Sequence, residues 1–398
     1  MTDPIITETY KTMLEKRAGS VSYVPELDGM RALAVLAVLA VLLSHYGLGE
    51  TLSRLTHNLP WGLMGVWAFF VLSGFLITNI LYACRLRMLT HETGLRETLW
   101  AFYARRFLRI FPIYYATLII VYLLGDPSFR NVVWYHALFL SNTYSAVYVG
   151  GIESNGLIHP ASGHFWSLSV EEQFYALWPL FILLVPRRVM FPATFALILL
   201  GPLMRAAIFA SGHQNAILYL PTCVDALGFG ALLALARSET GSAPRFLSHR
   251  IALRGASLLC VFGIGALFLG VGYRPIMIVL PTFAAFLFAA LINAFLDRRL
   301  PTAGKFFRFP PLVWTGKISY GIYLLHTFIA NAVFAILPGV QTLPGPFRFV
   351  VLSVITTLVC AVIWWGFERP INDLKRYIPY PGQKRMRLDE RPKAEHVL

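Results

Sequence analysis

RALAVLAVLAVLLSHYG, residues 31–47, decides what kind of protein this chain is. Thirteen uncharged residues, Ala32 to Ser44, separate a cation, Arg31, from an imidazole, His45. A helix that is apolar on every face belongs in a large core or a bilayer, not on a soluble surface. The rest of the chain chooses between the two. Of its 398 residues, 57% are hydrophobic and 14% charged, and the mean hydropathy is +0.62. That is more apolar surface than one soluble core can cover. Stretches near the roughly 20 residues needed to cross a bilayer recur at 30–47, 62–84, 108–124, 172–186, 189–210, 217–236, 253–272, 275–296, 312–337 and 346–367. The expected fold is an all-α polytopic membrane protein with about ten transmembrane helices.

Basic residues orient such a chain, because they collect in cytoplasmic loops. Connections expected outside carry few of them: Arg54, Arg130, Arg274 and, at a border, Arg348. Connections expected inside are rich in them. Residues 85–109 hold Arg85, Arg87, Arg96, Arg105, Arg106 and Arg109, the turn at 187–188 is Arg-Arg, and Arg298, Arg299, Lys305 and Arg308 follow one another. The alternation predicts both termini in the cytoplasm and, for a bacterial chain, an inner-membrane location. The expected domains are a cytoplasmic segment at 1–29, a membrane domain at 30–372 and a basic cytoplasmic tail at 373–398. The first 29 residues lack the apolar core and cleavage site of a signal peptide, so no cleavage on export is expected.

The net charge of +14 is then an orientation signal and an attraction to anionic headgroups. Basic residues dispersed around helix ends do not make the stripe that nucleic acid requires. Cys84, Cys223, Cys260 and Cys360 stand singly, without the paired spacing of a disulfide framework or a zinc site, and no metal is expected. One long connection, 125–171, lies on the outer side. Its apolar stretch at 132–142 is too short to cross and is expected to be re-entrant, which requires surrounding protein or a water-filled cavity.

Polar groups inside a bilayer are costly and line cavities or pathways. Arg31 and His45, Ser73, Glu171 and Glu172, Arg205, Asp225, Lys317 and His326 are such groups. Fourteen residues of helix leave Arg31 and His45 about 21 Å apart along nearly one face, with Arg31 at the cytoplasmic edge. Glu171 and Glu172, at the start of the expected fourth span, would share the depth of His45 as a base and its orienter. Blander readings exist for each. Arg31 could snorkel to headgroups, and Ser169 with Glu172 has the form of a capping box for the fourth span.

Several strings occur in a fixed order: LDGMRALAV at 27–35, GVWAFFVLSGFLIT at 65–78, FYARRFLRIFPIYY at 102–115, HFWSLSVEEQFYALWP at 164–179, VDALGFGALLA at 224–234, GKISYGIYLLH at 316–326 and FERPI at 367–371. Together, from about residue 25 to 372, they resemble acyltransferase family 3, the bacterial integral membrane O-acyltransferases. The resemblance implies transfer of an acyl group, acetyl most often, from cytoplasmic acyl-coenzyme A to a hydroxyl of a sugar in a surface, exported or lipid-linked glycan. Acyl-coenzyme A is then a co-substrate, and no cofactor is held permanently. The resemblance implies His45 and Arg31 as catalytic residues, with Glu171, the glutamate of WxLxxExxFY, orienting the imidazole or binding the acceptor. Arg105, Arg106 and Arg109 would hold the donor's phosphates, and Glu172, His164, Trp166, Asp225 and Ser73 are candidates on the acceptor side.

Two departures from the family pattern stand out. Arg31 and His45 are three residues further apart than the usual Arg-x10-His, as if one AVL triplet of 34–42 had been added. Cys223 stands where an arginine is common. Ser73 and Gly74 are expected to serve helix packing rather than nucleophilic attack, and Glu368 with Arg369 to pair at the membrane surface. No fused extracytoplasmic hydrolase-like domain is expected after the tail, which makes a separate extracytoplasmic transferase one expected partner. The competing reading is a transporter or flippase without chemistry, in which the same Arg, His and Glu form a proton or substrate path; a third is an export partner with degenerate catalytic residues.

Overall fold

The computed structural model of the protein describes residues 23–40, 60–148, 162–213, 215–242, 244–247, a few positions between 250 and 266, and 272–381, and no strand occurs among them. The helices in chain order are α1 Pro25–Leu39, α2 Trp61–Leu89, α3 Leu95–Leu123, α4 Pro127–Ala137, α5 Ser141–Tyr148, α6 Phe165–Leu184, α7 Arg187–Ala210, α8 Leu220–Thr240, α9 Tyr273–Leu296, α10 Pro301–Phe307, α11 Pro310–Lys317, α12 Ser319–Ile336 and α13 Gly345–Ile363. Seven helical runs among the described residues are long and apolar enough to cross a membrane: α2, α3, α7, α8, α9, α12 and the run that begins with α13. The protein is a multi-pass membrane protein. His45 and most of the expected span at 253–272 lie outside the described residues.

Small residues set the centre of the bundle. Helices in lipid gain mainly from close packing, which small residues permit. A Cβ on Gly74 of α2 would stand 2.0 Å from the carbonyl oxygen of Leu227 in α8, and one on Gly230 of α8 would stand 2.0 Å from that of Val71. The two helices therefore touch backbone to backbone through reciprocal glycines. Around them a continuous apolar core draws on α1, α3, α6, α7 and α9.

Three polar groups pin the far side of this core. Arg205 of α7 pairs with Asp225 of α8 at 2.7 Å, both side chains wholly buried. Thr282 of α9 donates to the same carboxylate at 2.5 Å, and Arg205 also donates to the carbonyls of Ile278 and Thr222. Fully hydrogen-bonded, the pair ties three helices together. Losing one partner would strand a buried charge, at a cost of about 3–5 kcal/mol.

Element ends differ from expectation in four places. The basic stretch 95–107 is not loop but the first turns of α3; a helix needs apolar residues only where it meets hydrocarbon. α6 begins at Phe165, seven residues before the expected span. The expected span 312–337 is two helices meeting at Ile318, next to Gly316, where a Cβ would stand 1.9 Å from the Asp28 carbonyl oxygen. The last span ends in a π-helical turn, Trp364–Glu368. There Glu368 is buried and faces Gly321, while the Arg369 guanidinium sits 4.4 Å from the Trp365 ring centre. Consecutive side chains on a helix diverge, and the expected pair between Glu368 and Arg369 does not form.

The connection from α3 to α6 is more regular than a loop. Asp126 caps α4 by accepting from the Ser128 amide at 2.8 Å and the Phe129 amide at 3.2 Å, with Pro127 at the first helical position, where its missing N–H costs nothing. The chain turns at Phe139, φ 53°, into α5. Carbonyls around that turn are satisfied by protein: His136 by the Tyr114 hydroxyl, Ala137 by the Tyr115 hydroxyl and Phe139 by the Gln173 amide. The expected re-entrant segment is thus clamped to α3 and α6.

Candidate active site

The early start of α6 moves its carboxylates. Glu171 and Glu172 stand six and seven residues past Phe165, about 10 Å along the axis, instead of at the helix mouth. The capping-box reading fails for the same reason, since the Ser169 hydroxyl donates to the Phe165 carbonyl at 3.2 Å within the helix. What Glu171 meets instead is α2. Ser73 donates to its Oε1 at 2.8 Å, and the Tyr175 hydroxyl, one turn further along α6, donates to Ser73 Oγ at 2.8 Å. Glu171, Ser73 and Tyr175 form one hydrogen-bonded chain, set beside the glycine crossing at Gly74.

Arginines from two further helices surround this chain. The Arg106 guanidinium of α3 lies 5.1 Å from the Tyr175 ring centre, and Arg106 and Arg31 are both close enough to act on the Glu171 charge. Arg109, one turn along α3, feels Arg31, Arg106, Tyr175 and Asp28. Glu171 therefore lies within electrostatic reach of Arg31, while His45, the expected partner at its depth, lies outside the described residues. Arg31 does not simply snorkel. It pairs with Asp28 at 2.8 Å, its side chain 18% exposed, and Asp28 also accepts from the Tyr23 hydroxyl at 2.7 Å. The sequence reading passed over Asp28, although its i, i+3 spacing from Arg31 was the available signal.

The other candidates divide. Arg105 is used by the chain itself: it donates to the carbonyls of Lys375 at 2.7 Å and Ile378 at 2.9 Å and covers the Tyr380 ring at 4.7 Å, binding the segment after the last span to α3. Glu172 lines a groove of about 740 Å³ between α3 and α6, together with Arg106 and Tyr175. Trp166 is buried with its edge against Phe70. His164, the cap of α6, bonds through Nε2 to the Leu324 carbonyl at 3.1 Å, and its ring lies 4.6 Å from that of His326. Asp225 belongs to the separate Arg205 cluster, with both carboxylate oxygens occupied.

Four helices thus bring together guanidinium groups able to hold phosphate or a developing oxyanion, a carboxylate to balance them, and two hydroxyls that fix the carboxylate. Peptidoglycan O-acetyltransferase OatA of Listeria monocytogenes is 30% identical over 88% of this chain and 56% of its own length. O-acetyltransferase OatA of Staphylococcus aureus is 28% identical over 88% of this chain and 57% of its own. The chain spans a little over half the length of these curated relatives. No solved structure matches it. Residues 24–365, nearly the whole described bundle, match the acyltransferase domain family, and the chain belongs to that family, acyltransferase family 3.

Proposed function

We propose that the protein is an acyl-coenzyme A-dependent membrane O-acyltransferase that delivers an acyl group, acetyl in the simplest case, to a sugar hydroxyl of a cell-surface, exported or lipid-linked glycan. The observation that carries this reading is the meeting of Arg31, Arg106 and Arg109 with the Glu171–Ser73–Tyr175 chain inside the bundle. A partly buried cationic cluster of this kind suits a donor with several phosphates and a thioester whose oxygen gains charge on attack. The names of the relatives support the acceptor class, a glycan of the cell wall.

In this reading Arg106 and Arg109 bind the donor from the cytoplasmic side; Arg105, held by backbone carbonyls, serves them indirectly by fixing α3. Glu171 positions Arg31 and Arg106. The acceptor hydroxyl gives its proton to the neutral imidazole of His45 while its oxygen attacks the thioester carbonyl. The carbon–sulfur bond then breaks, and coenzyme A leaves as a thiol with the proton.

The test is thiol release from acetyl-coenzyme A by purified protein in proteoliposomes containing glycan acceptor, with His45→Ala alongside. Release that falls at least a hundredfold in His45→Ala supports the mechanism, since general-base catalysis contributes about 10²–10⁴-fold. Full release by a normally folded His45→Ala protein sinks it. Transport of intact acyl donor without thiol release would turn the reading to a transporter.

A further inference from the structure

Glu368 is a buried acid that the proposed chemistry leaves unused. It is 5% exposed, and its Oε1 has no hydrogen-bond partner among the described residues. An unsatisfied buried carboxylate oxygen is costly, yet the backbone is shaped to put it there. Leu352, Thr356 and Cys360 form a buried line along α13. In an unbroken α-helix Glu368, eight residues past Cys360, would point about 80° away from that line. The π-helical turn Trp364–Glu368 takes in roughly one extra residue, which returns Glu368 to within about 20° of the line and leaves Phe367 on the outside, 38% exposed. The facing helix makes room as well. A Cβ on Gly321 of α12 would stand 2.7 Å from Glu368 Oε1.

Two cations act on this carboxylate, Arg109 of α3 and Lys375. Lys375 is committed to the Asn372 side chain. Arg109 makes no hydrogen bond and no ion pair among the described residues. Arg109 and Glu368 thus attract each other across a gap too wide for an ion pair, a donor on one side and an acceptor on the other. Whatever fills it must accept from a guanidinium and donate to a carboxylate. Phosphate suits Arg109 and repels Glu368, and hydrocarbon suits neither. An amide does both, through its carbonyl and its N–H. Coenzyme A carries two amides in the pantetheine arm that joins its phosphorylated nucleotide to its sulfur.

We infer that the gap between Arg109 and Glu368 holds this arm: Glu368 accepts from an amide N–H, Arg109 donates to an amide carbonyl, and the thioester lies beyond, towards Arg31. The inference rests on acyl-coenzyme A being the donor. Of the three arginines first expected to hold phosphate, Arg109 then serves the arm instead.

Two variants disturb the carboxylate in different ways. Glu368→Leu removes it. Gly321→Ala keeps the charge and pushes it aside, a small demand on the fold because the methyl group meets the end of a flexible side chain. The experiment is isothermal titration of the purified full-length protein and both variants with coenzyme A, with pantetheine and with adenosine bisphosphate, folding being checked by monodisperse elution. Losing a hydrogen bond to a charged group weakens binding by about tenfold or more. That loss is expected for coenzyme A and pantetheine in both variants, with adenosine bisphosphate unaffected. Full coenzyme A affinity in either folded variant overturns the site. Tighter adenosine bisphosphate binding by Glu368→Leu also overturns it, because the carboxylate then acts on phosphate through charge alone, and so does an equal loss for every ligand, which would mark general damage to the bundle. A wild type that binds none of the three overturns the donor reading and the site with it.

Discussion

Glu171 shows how much a single side chain's surroundings decide. Its Oε1 accepts from Ser73, whose oxygen accepts in turn from Tyr175, and Arg31 and Arg106 act on its charge. Glu171→Gln keeps the bond from Ser73 but removes the charge that balances two guanidinium groups. Because the proposed donor is an anion, that loss does not weaken donor binding, whereas it does release the arginines from their working positions. The expected outcome is a fall in kcat of about 10²-fold with no rise in KM for the donor. Arg106→Gln moves KM the other way, upward. Ser73→Ala removes a bond to a charged group, about 1.5–3 kcal/mol, and lowers kcat in the direction of Glu171→Gln. Steady-state kinetics of the three variants check the pattern; a raised donor KM in Glu171→Gln would show that the carboxylate does not act through the arginines. At this scale the sequence was legible where residues are near in the chain. Glu171 stood out as a charge near a membrane span, but its pairing with Ser73, 98 positions away, depends on how α2 and α6 cross. The Arg205–Asp225 pair was equally out of reach, and Asp225 was read as an acceptor-side group because its partner could not be assigned.

Elements were legible where hydrocarbon imposes one rule on every residue. The continuous apolar runs at 62–84, 189–210 and 275–296 correspond to α2, α7 and α9 within a few residues. The rule loses force where protein replaces lipid: the opening of α6, FWSLSVE at 165–171, is mostly buried against other helices although it falls in the expected long connection. It also fails where a helix rises out of the bilayer, as the arginine-rich start of α3 does. DPSF was a legible helix start, Asp capping and Pro first, hidden because the whole connection was read as irregular. Reciprocal glycine crossing gives this scale its own prediction. Gly74→Ala places a methyl group 2.0 Å from the Leu227 carbonyl oxygen, which backbone must move to relieve, and overpacking of this kind costs roughly 1–3 kcal/mol. Gly94→Ala meets nothing within 4 Å at the extended cap of α3. Thermal denaturation of the detergent-solubilised protein should show a Tm several degrees lower for Gly74→Ala and an unchanged one for Gly94→Ala. Since Ser73 adjoins the crossing, activity falls in Gly74→Ala even below its Tm. Equal Tm values for both variants and the wild type would mean that the α2–α8 contact is not tight.

For the whole molecule, charge rather than packing fixes direction. Helix packing is satisfied equally by a bundle inserted either way up, while arginine and lysine near the ends of spans favour the cytoplasmic side. The ends of α6 and α7 meet at Arg187 and Arg188, and the ends of α9 and α10 surround Arg298, Arg299 and Lys305. By contrast, α4 and α5 with the turn between them carry Arg130 as their one arginine and no lysine. That asymmetry predicts Arg187–Arg188 inside and α4 outside. It also puts Arg106 and Arg109 within reach of a cytoplasmic donor, so the proposed chemistry depends on it. Cys84, Cys223 and Cys360 are buried, and with Cys260 replaced by serine they contribute little background to thiol labelling. Asn131→Cys in α4 and Arg188→Cys at the start of α7 place a thiol on exposed positions near opposite ends of the bundle. With a membrane-impermeant maleimide, Asn131→Cys is expected to label in intact cells, and Arg188→Cys only after permeabilisation. The reverse pattern would put the arginine cluster outside, where no acyl-coenzyme A is available, and would end the donor assignment without any kinetic experiment.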